Sequence, residues 1–181
     1  MNRESPKRFI SEAEVAIDFQ ELEQRLTAHF GLGPRSDHGP EHWHRVKENG
    51  LKIAPTNGAD EVVVHLFALF HDSCRQSEGY DPKHGHRAAE LAAQVHGDWF
   101  TISEDQLELL QYACRLHNDG ETTDDPTIGA CWDGDRLDLT RVNKIPDPAY
   151  LSTKAGIRLA LHGNFDDMLN SVSLEDLIDK N

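Results

Sequence analysis

Residues 61–72 read EVVVHLFALFHD, and this stretch decides the fold. From Val62 to Phe70 the segment is apolar on every side, a pattern that predicts a helix buried at the centre of the protein. It ends in two polar residues, His71 and Asp72. An unpaired charge buried at the end of such a helix costs several kcal/mol, so the pair needs partners, and a cation would satisfy both side chains.

Helical patterns extend from this segment in both directions. Ser11 and Glu14 form a capping box for an N-terminal helix over residues 11–30, and Pro40 suits the first turn of a second helix that Pro55 should end. Downstream, the pattern predicts a helix from His86 to His96, a helix capped by Ser103, a helix over 128–142 and two short closing helices within 152–181, opened by Ser152 and Asn164. No run alternates like a strand, which predicts a single all-α domain, a helical bundle that spans the chain.

Length and charge limit the functions that the chain can have. Its 181 residues fit one domain, and no run approaches the ~20 apolar residues that span a bilayer. The formal net charge of -14 repels phosphate backbones, so we expect neither a nucleic-acid polymer nor a membrane as a partner. Three cysteines without a C-x-x-C spacing and a polar N-terminus, MNRESPKRFI, favour a cytoplasmic protein.

Four side chains on three predicted helices are candidate metal ligands. They are His42 on the second helix, the pair His71 and Asp72, and Asp135 on the sixth helix. Imidazole and carboxylate together form a borderline ligand set that suits Mn, Fe, Ni, Co or Zn, with Mg as a further option. Brought together in a bundle, the four groups can enclose one divalent ion and leave positions for water.

The order of these residues resembles the H...HD...D pattern of the HD superfamily of metal-dependent phosphohydrolases. His42 lies in H-x-x-R-V with Arg45 and Val46, which is similar to the family's first-ligand helix, and Asp135 lies in GDRLDL, which resembles its closing A-D-x-L-D. The resemblance covers roughly residues 36–142. It implies a helical bundle of the HD-domain type around a divalent metal, and a hydrolase that cleaves a phosphate ester.

Two further histidines resemble the extra ligands with which some members of the family hold a second metal. His84 precedes a glycine at the start of a helix, and His117 lies at the end of the fifth helix. His86 is so close to His84 that the choice between them stays open. We therefore expect one tightly bound ion and leave open a second.

The resemblance also implies roles for individual side chains. Asp72 would both ligate the metal and orient the attacking water, whose pKa the metal lowers. His117 would act as a ligand or contact the substrate. Arginines near the ligands offer forked donors to phosphate oxygens: Arg45 and Arg75 first, then Arg115 and Arg136.

The expected substrate is a small phosphate ester, such as a nucleotide or a related metabolite. The polar loop 118–127 joins two ligand-bearing helices and is expected to form the rim of the pocket or a lid. Its acidic residues argue against a highly charged triphosphate. Cleavage of a monoester and of a diester both remain open.

Other polar residues have ordinary structural explanations. His65 lies on nearly the same helix face as the ligands, but a core histidine is the simpler interpretation. His38, four residues before His42, is expected to support the ligands or to contact the substrate. Asp138 could pair with Arg141 or support the site.

Two other functions would use the same residues. An HD-type di-iron oxygenase would bind two irons at these ligands and activate oxygen. A non-catalytic regulatory domain would hold a structural metal in a closed site. Apolar positions in the final stretch, 164–181, leave a homodimer open.

Overall fold

The computed structural model describes residues 17–33 and 35–163, and these residues form a single helical domain. Its helices are α1 (Phe19–His29), α2 (Pro40–Asn57), α3 (Glu61–Phe70), α4 (His84–Val95), α5 (Glu104–Leu116), α6 (Pro126–Leu137) and α7 (Lys154–His162). Two short 3₁₀ segments, Asp138–Val142 and Pro148–Tyr150, join α6 to α7. The part of the chain that the structure describes contains no strand, which confirms the all-α prediction for it. Within the same ranges, every helix is too short or too polar to cross a bilayer.

Helix α3 is the centre of the bundle, as its apolar sequence predicts. Asp60 begins the helix by accepting hydrogen bonds from two backbone N–H groups of the first turn. Residues 66–70 are buried on all sides, because α2, α5 and α6 pack around the helix. The helix therefore ends inside the protein, where it places His71 and Asp72.

Helices α2 and α6 cross at two glycines, and this crossing determines which side chains meet. A Cβ atom on Gly134 would lie 2.9 Å from the carbonyl oxygen of Val46 and 3.0 Å from the amide nitrogen of Gly50. Only residues without a side chain allow two backbones to approach this closely. As a result, His42 of α2 lies beside Asp135 of α6.

Helices α4 and α5 approach each other in a similar way at Gly85. A Cβ atom at this position would collide with the carbonyl oxygen of Cys114 and would lie 3.1 Å from Nδ1 of His117. The adjacent residue, His84, is therefore brought against His117 from the opposite helix.

The ends of three helices differ from the predictions. Helix α1 begins at Phe19 after the cap Asp18, and the predicted start at Ser11 lies outside the described residues. Helix α2 continues through Pro55 and is ended by Gly58, which adopts a left-handed conformation with φ 75. Helix α4 begins at His84 and not at His86.

The C-terminal part of the bundle is more segmented than the pattern predicts. The predicted helix over 128–142 is α-helical only to Leu137 and then tightens into a 3₁₀ segment. The next helix is capped by Thr153, one residue after the predicted Ser152. The helix predicted to open at Asn164 lies outside the described residues.

Candidate metal centre

Four of the predicted ligands meet at one end of the bundle. Nε2 of His42 lies 3.1 Å from Nε2 of His71 and 3.3 Å from Oδ1 of Asp135. Oδ2 of Asp72 lies 3.6 Å from Nε2 of His42 and 3.7 Å from Nε2 of His71. His42, His71 and Asp72 are buried, and their ligand atoms are close enough together to hold a metal ion.

A second group shares Asp72 with the first. Nε2 of His84 lies 2.9 Å from Nε2 of His117. Oδ1 of Asp72 lies 3.1 Å from Nε2 of His84 and 3.6 Å from Nε2 of His117. These three buried residues also could hold an ion. His86 is exposed on α4, so the structure places His84 at the centre and leaves His86 outside it.

The outer nitrogen of each of these four histidines faces an acceptor. Nδ1 of His117 faces the carbonyl oxygen of Cys114, Nδ1 of His71 that of Ala68, and Nδ1 of His84 that of Asp81. Nδ1 of His42 faces the carboxylate of Asp138. These partners place the protons on Nδ1, so that each Nε2 carries a lone pair. Lone pairs that face each other at 2.9 and 3.1 Å repel, unless a cation lies within reach of both.

One carboxylate oxygen of Asp72 also lacks a hydrogen-bond donor. The residue is 2% exposed, and its Oδ2 accepts a hydrogen bond from Nδ1 of His38 at 2.8 Å. Among the buried side-chain atoms of the described ranges, Oδ1 of Asp72 alone has no hydrogen-bond partner. A buried carboxylate oxygen without a donor is costly, and a cation is the group that relieves it. The side chains present therefore fit a divalent cation on either side of Asp72.

Burial and neighbouring charges favour ligand-competent protonation states at His71, Asp72 and Asp135, whereas at His42 and His117 the neighbouring carboxylates outweigh burial and raise the pKa of the imidazole. Burial lowers the pKa of His71 to about 3, which keeps this imidazole neutral. Burial opposes the ionisation of Asp72, but the surrounding imidazoles outweigh it and hold the pKa of this carboxyl well below its usual range. The pKa of Asp135 is lowered in the same way, against burial, by its contact with His42. Neutral imidazoles and ionised carboxylates are the forms that bind cations.

Arg45 lies behind the centre, away from the position expected for a phosphate donor. Its Nε donates to Oδ1 of Asp138 at 2.7 Å, and Oδ2 of Asp138 accepts a hydrogen bond from Nδ1 of His42 at 2.7 Å. Arg45 does not belong to the described residues that line the adjoining cavity. It instead holds Asp138, which is 5% exposed and orients the ring of His42.

A cavity of about 440 Å³ opens onto both groups of ligands. Arg75 lines it, with Nε and Nη2 donating to the carbonyl oxygens of Ser77 and Gly79. Nη1 of Arg75 lies against the ligands, 3.4 Å from Nε2 of His84 and 3.5 Å from Oδ1 of Asp72. Two residues of the predicted rim loop, Asn118 and Gly120, also line the cavity, and so does His38.

The remaining arginine candidates have other positions. Arg136 lines the cavity, but its guanidinium donates to the carbonyl oxygens of Tyr150 at 2.5 Å and His117 at 3.5 Å. It therefore ties the chain after α6 to the end of α5. Arg115 is absent from the described residues that line the cavity.

The sequence interpretation did not identify one side of the cavity, but it placed His65 outside the metal centre, in agreement with the structure. Leu139, Lys144 and Tyr150 line the cavity, although no ligand-type pattern marks them in the sequence. Their only signal is that they lie in the stretch of chain after Asp135, the last predicted ligand. His65 packs away from the ligands, with its ring stacked on that of Phe19 at 3.7 Å.

Comparison with known proteins finds no matching family model, no matching curated protein and no matching solved structure. A functional assignment therefore rests on the geometry of the ligand groups and of the cavity beside them.

Proposed function

We propose that this protein is a metal-dependent phosphohydrolase of the HD type, which uses divalent cations to cleave a phosphate ester of a small molecule. The observation that carries the proposal is Asp72, a buried carboxylate with an unpartnered oxygen between two pairs of histidine Nε2 atoms. One ion would be held by His42, His71, Asp72 and Asp135, and a second by Asp72, His84 and His117.

The chain's own residues supply the positioning that hydrolysis needs. Divalent cations, when bound, lower the pKa of coordinated water toward neutrality and polarise phosphoryl oxygens. Asp72 accepts a hydrogen bond from the attacking water and so orients it, while His38 keeps the carboxylate in place through Oδ2. Nε and Nη2 of Arg75 are bonded to backbone carbonyls, and Nη1 lies 3.4 Å from Nε2 of His84 and 3.5 Å from Oδ1 of Asp72. With cations on these ligand atoms, Nη1 would donate to an oxygen of the phosphoryl group.

The charge and size of the cavity support a small anionic substrate. A volume of about 440 Å³ lies within the range of small-molecule sites. In a chain of net charge -14, this cavity gathers Arg75, Arg136, Arg141 and Lys144. Three carboxylates, Asp72, Asp135 and Asp147, also line the cavity, but two of them would be neutralised by bound cations. The positive charge that then remains favours a phosphorylated ligand over a neutral one.

The test is elemental analysis of the purified protein, followed by assays of phosphate release from nucleotides, sugar phosphates and phosphodiesters with Mn, Co, Ni, Zn or Mg. We expect turnover by the wild-type protein and by the surface control Asp98→Asn, and none by Asp72→Asn. Full metal loading without turnover of any ester would reject the hydrolase and favour a regulatory metal-binding domain.

A di-iron oxygenase is the second candidate, because a carboxylate shared between two ligand groups also suits a pair of irons. The two reactions differ in their products. Oxygen consumption by the Fe(II)-loaded protein without phosphate release would favour the oxygenase, whereas phosphate release under anaerobic conditions favours the hydrolase.

A further inference from the structure

The chain segment 139–150, which follows the last ligand, gives the cavity an apolar side. Leu139, Ile145 and Tyr150 of this segment line the cavity together with the ligands. Ile145 is 87% exposed and Tyr150 is 54% exposed. One exposed apolar side chain is ordinary in a folded protein, but two beside a polar centre, next to the half-buried Leu139, are typical of a ligand-binding site.

The segment is held in place without a ligand. The carbonyl oxygen of Tyr150 accepts a hydrogen bond from Arg136 at 2.5 Å, and the amide of Lys144 donates to the carbonyl oxygen of Leu139 at 3.2 Å. Arg141 donates from Nε to the carbonyl oxygen of Asp37 at 2.9 Å, which fixes the segment to the loop before α2. The backbone that carries the apolar side chains is thus held in place, so that binding against it orders little further backbone.

The charges of the lining limit how many phosphates can bind. Arg136 and Arg141 are engaged by backbone carbonyl oxygens. Within the described residues, Lys144 makes no ion pair. Nη1 of Arg75 lies against the ligands, 3.4 Å from Nε2 of His84 and 3.5 Å from Oδ1 of Asp72, and becomes available to a substrate only when cations take up these ligand atoms. Asp147 also lines the cavity and would repel a further phosphate. The balance suits one phosphate beside the ligands.

From these observations we propose that the segment 139–150 binds the alcohol part of the substrate, and that the substrate is a phosphate monoester of an uncharged, apolar or aromatic alcohol. This inference rests on the proposed phosphohydrolase function for the reaction, but the binding preference can be measured separately. Ile145 and Tyr150 would contact the alcohol part, and neither residue contributes a metal ligand.

The experiment compares two monoesters whose alcohols have similar pKa values, 2-phenylethyl phosphate and 2-hydroxyethyl phosphate, in the metal-loaded protein. We expect kcat/KM to be about tenfold to a hundredfold higher for the phenyl compound, the ratio that burial of an apolar ring gives. The double substitution Ile145→Ser with Tyr150→Ala should bring this ratio close to one. Tyr112→Ala, which removes an exposed aromatic ring on α5 outside the cavity, should leave the ratio unchanged.

A binding measurement separates this inference from the proposed reaction. Calorimetric titration with the non-hydrolysable 3-phenylpropylphosphonate and 3-hydroxypropylphosphonate should show the same preference and the same loss in the double variant. Hydrolysis of both esters at equal efficiency, with equal affinity for both phosphonates, would overturn the inference and leave the hydrolase intact. A preference between the phosphonates without hydrolysis of any ester would support the binding site and reject the hydrolase.

Discussion

Two buried carboxylates of this protein, Asp133 and Asp72, differ in whether both of their oxygens have hydrogen-bond donors. Asp133 is 0% exposed, and it accepts hydrogen bonds from the amides of Ser152 and Thr153 at 2.7 and 2.8 Å and from the hydroxyl of Thr153 at 2.7 Å. Asp72 is 2% exposed, yet its Oδ1 lacks a donor. Burial alone therefore does not mark a functional carboxylate. Asp133 anchors the start of α7, whereas Asp72 is left unsatisfied for a cation.

Replacing Asp72 by Asn tests the functional half of this comparison most severely. Metal content and phosphate release should be lost, with activity lower by about a thousandfold or more, since metal catalysis supplies several kcal/mol. The metal-free variant should unfold at a denaturant concentration close to that of the metal-free wild type, because Asn removes a carboxylate with one unpartnered oxygen but also removes the attraction of the imidazoles around it. A marked loss of stability in the chelated variant would show that Asp72 is a structural carboxylate like Asp133.

Replacing Asp133 by Ala tests the structural half. The change leaves two amides and a hydroxyl at the start of α7 without an acceptor, and we expect the free energy of unfolding to fall by about 3 kcal/mol. Urea unfolding monitored by circular dichroism measures this loss. Metal content of the folded fraction should stay at the wild-type level, and a loss of metal equal to that of Asp72→Asn would erase the distinction between the two carboxylates.

Asp138 lies between these extremes, because it is buried and bonded but acts on a ligand. Asp138→Asn should weaken metal affinity by about ten- to a hundredfold, as expected when the partner that orients a ligating imidazole is altered. Competition with a fluorescent chelator gives the affinity, and nitrogen NMR shifts of the His42 ring report its tautomer. Arg45→Ala should have a smaller effect in the same direction. An unchanged affinity and tautomer in Asp138→Asn would show that this carboxylate only packs.

His65→Gln is the smallest change, since this ring stacks on Phe19 and lies away from the ligands. Metal content and kcat/KM should stay within about twofold of wild type, and stability should fall by about 1 kcal/mol for the lost ring contact. Thermal unfolding and the phosphate-release assay together check this. Loss of metal would place His65 among the ligands and contradict the geometry.

The candidate ligands were open to prediction because their chemistry and order are visible in the chain. His71 and Asp72 end the most apolar helix, and a buried polar pair in that position needs partners wherever the helix packs. The choice of His84 over His86 could not be predicted, since two positions on one helix differ only in the face that the bundle buries. The position of Arg45 behind the centre could not be predicted for a related reason, since its partner Asp138 lies 93 residues away in the chain.

Helical class, the central position of α3 and the residue types of the centre follow from the sequence by itself, because apolar periodicity and side-chain chemistry act over short stretches of chain. The tertiary structure alone decides that Asp72 stands between two pairs of imidazoles, that Asp133 is satisfied, and that residues 139–150 complete the cavity. These relations depend on close helix crossings at glycines such as Gly134 and Gly85. Such distances are set by the packing of residues remote in the chain, on which local propensity carries no information.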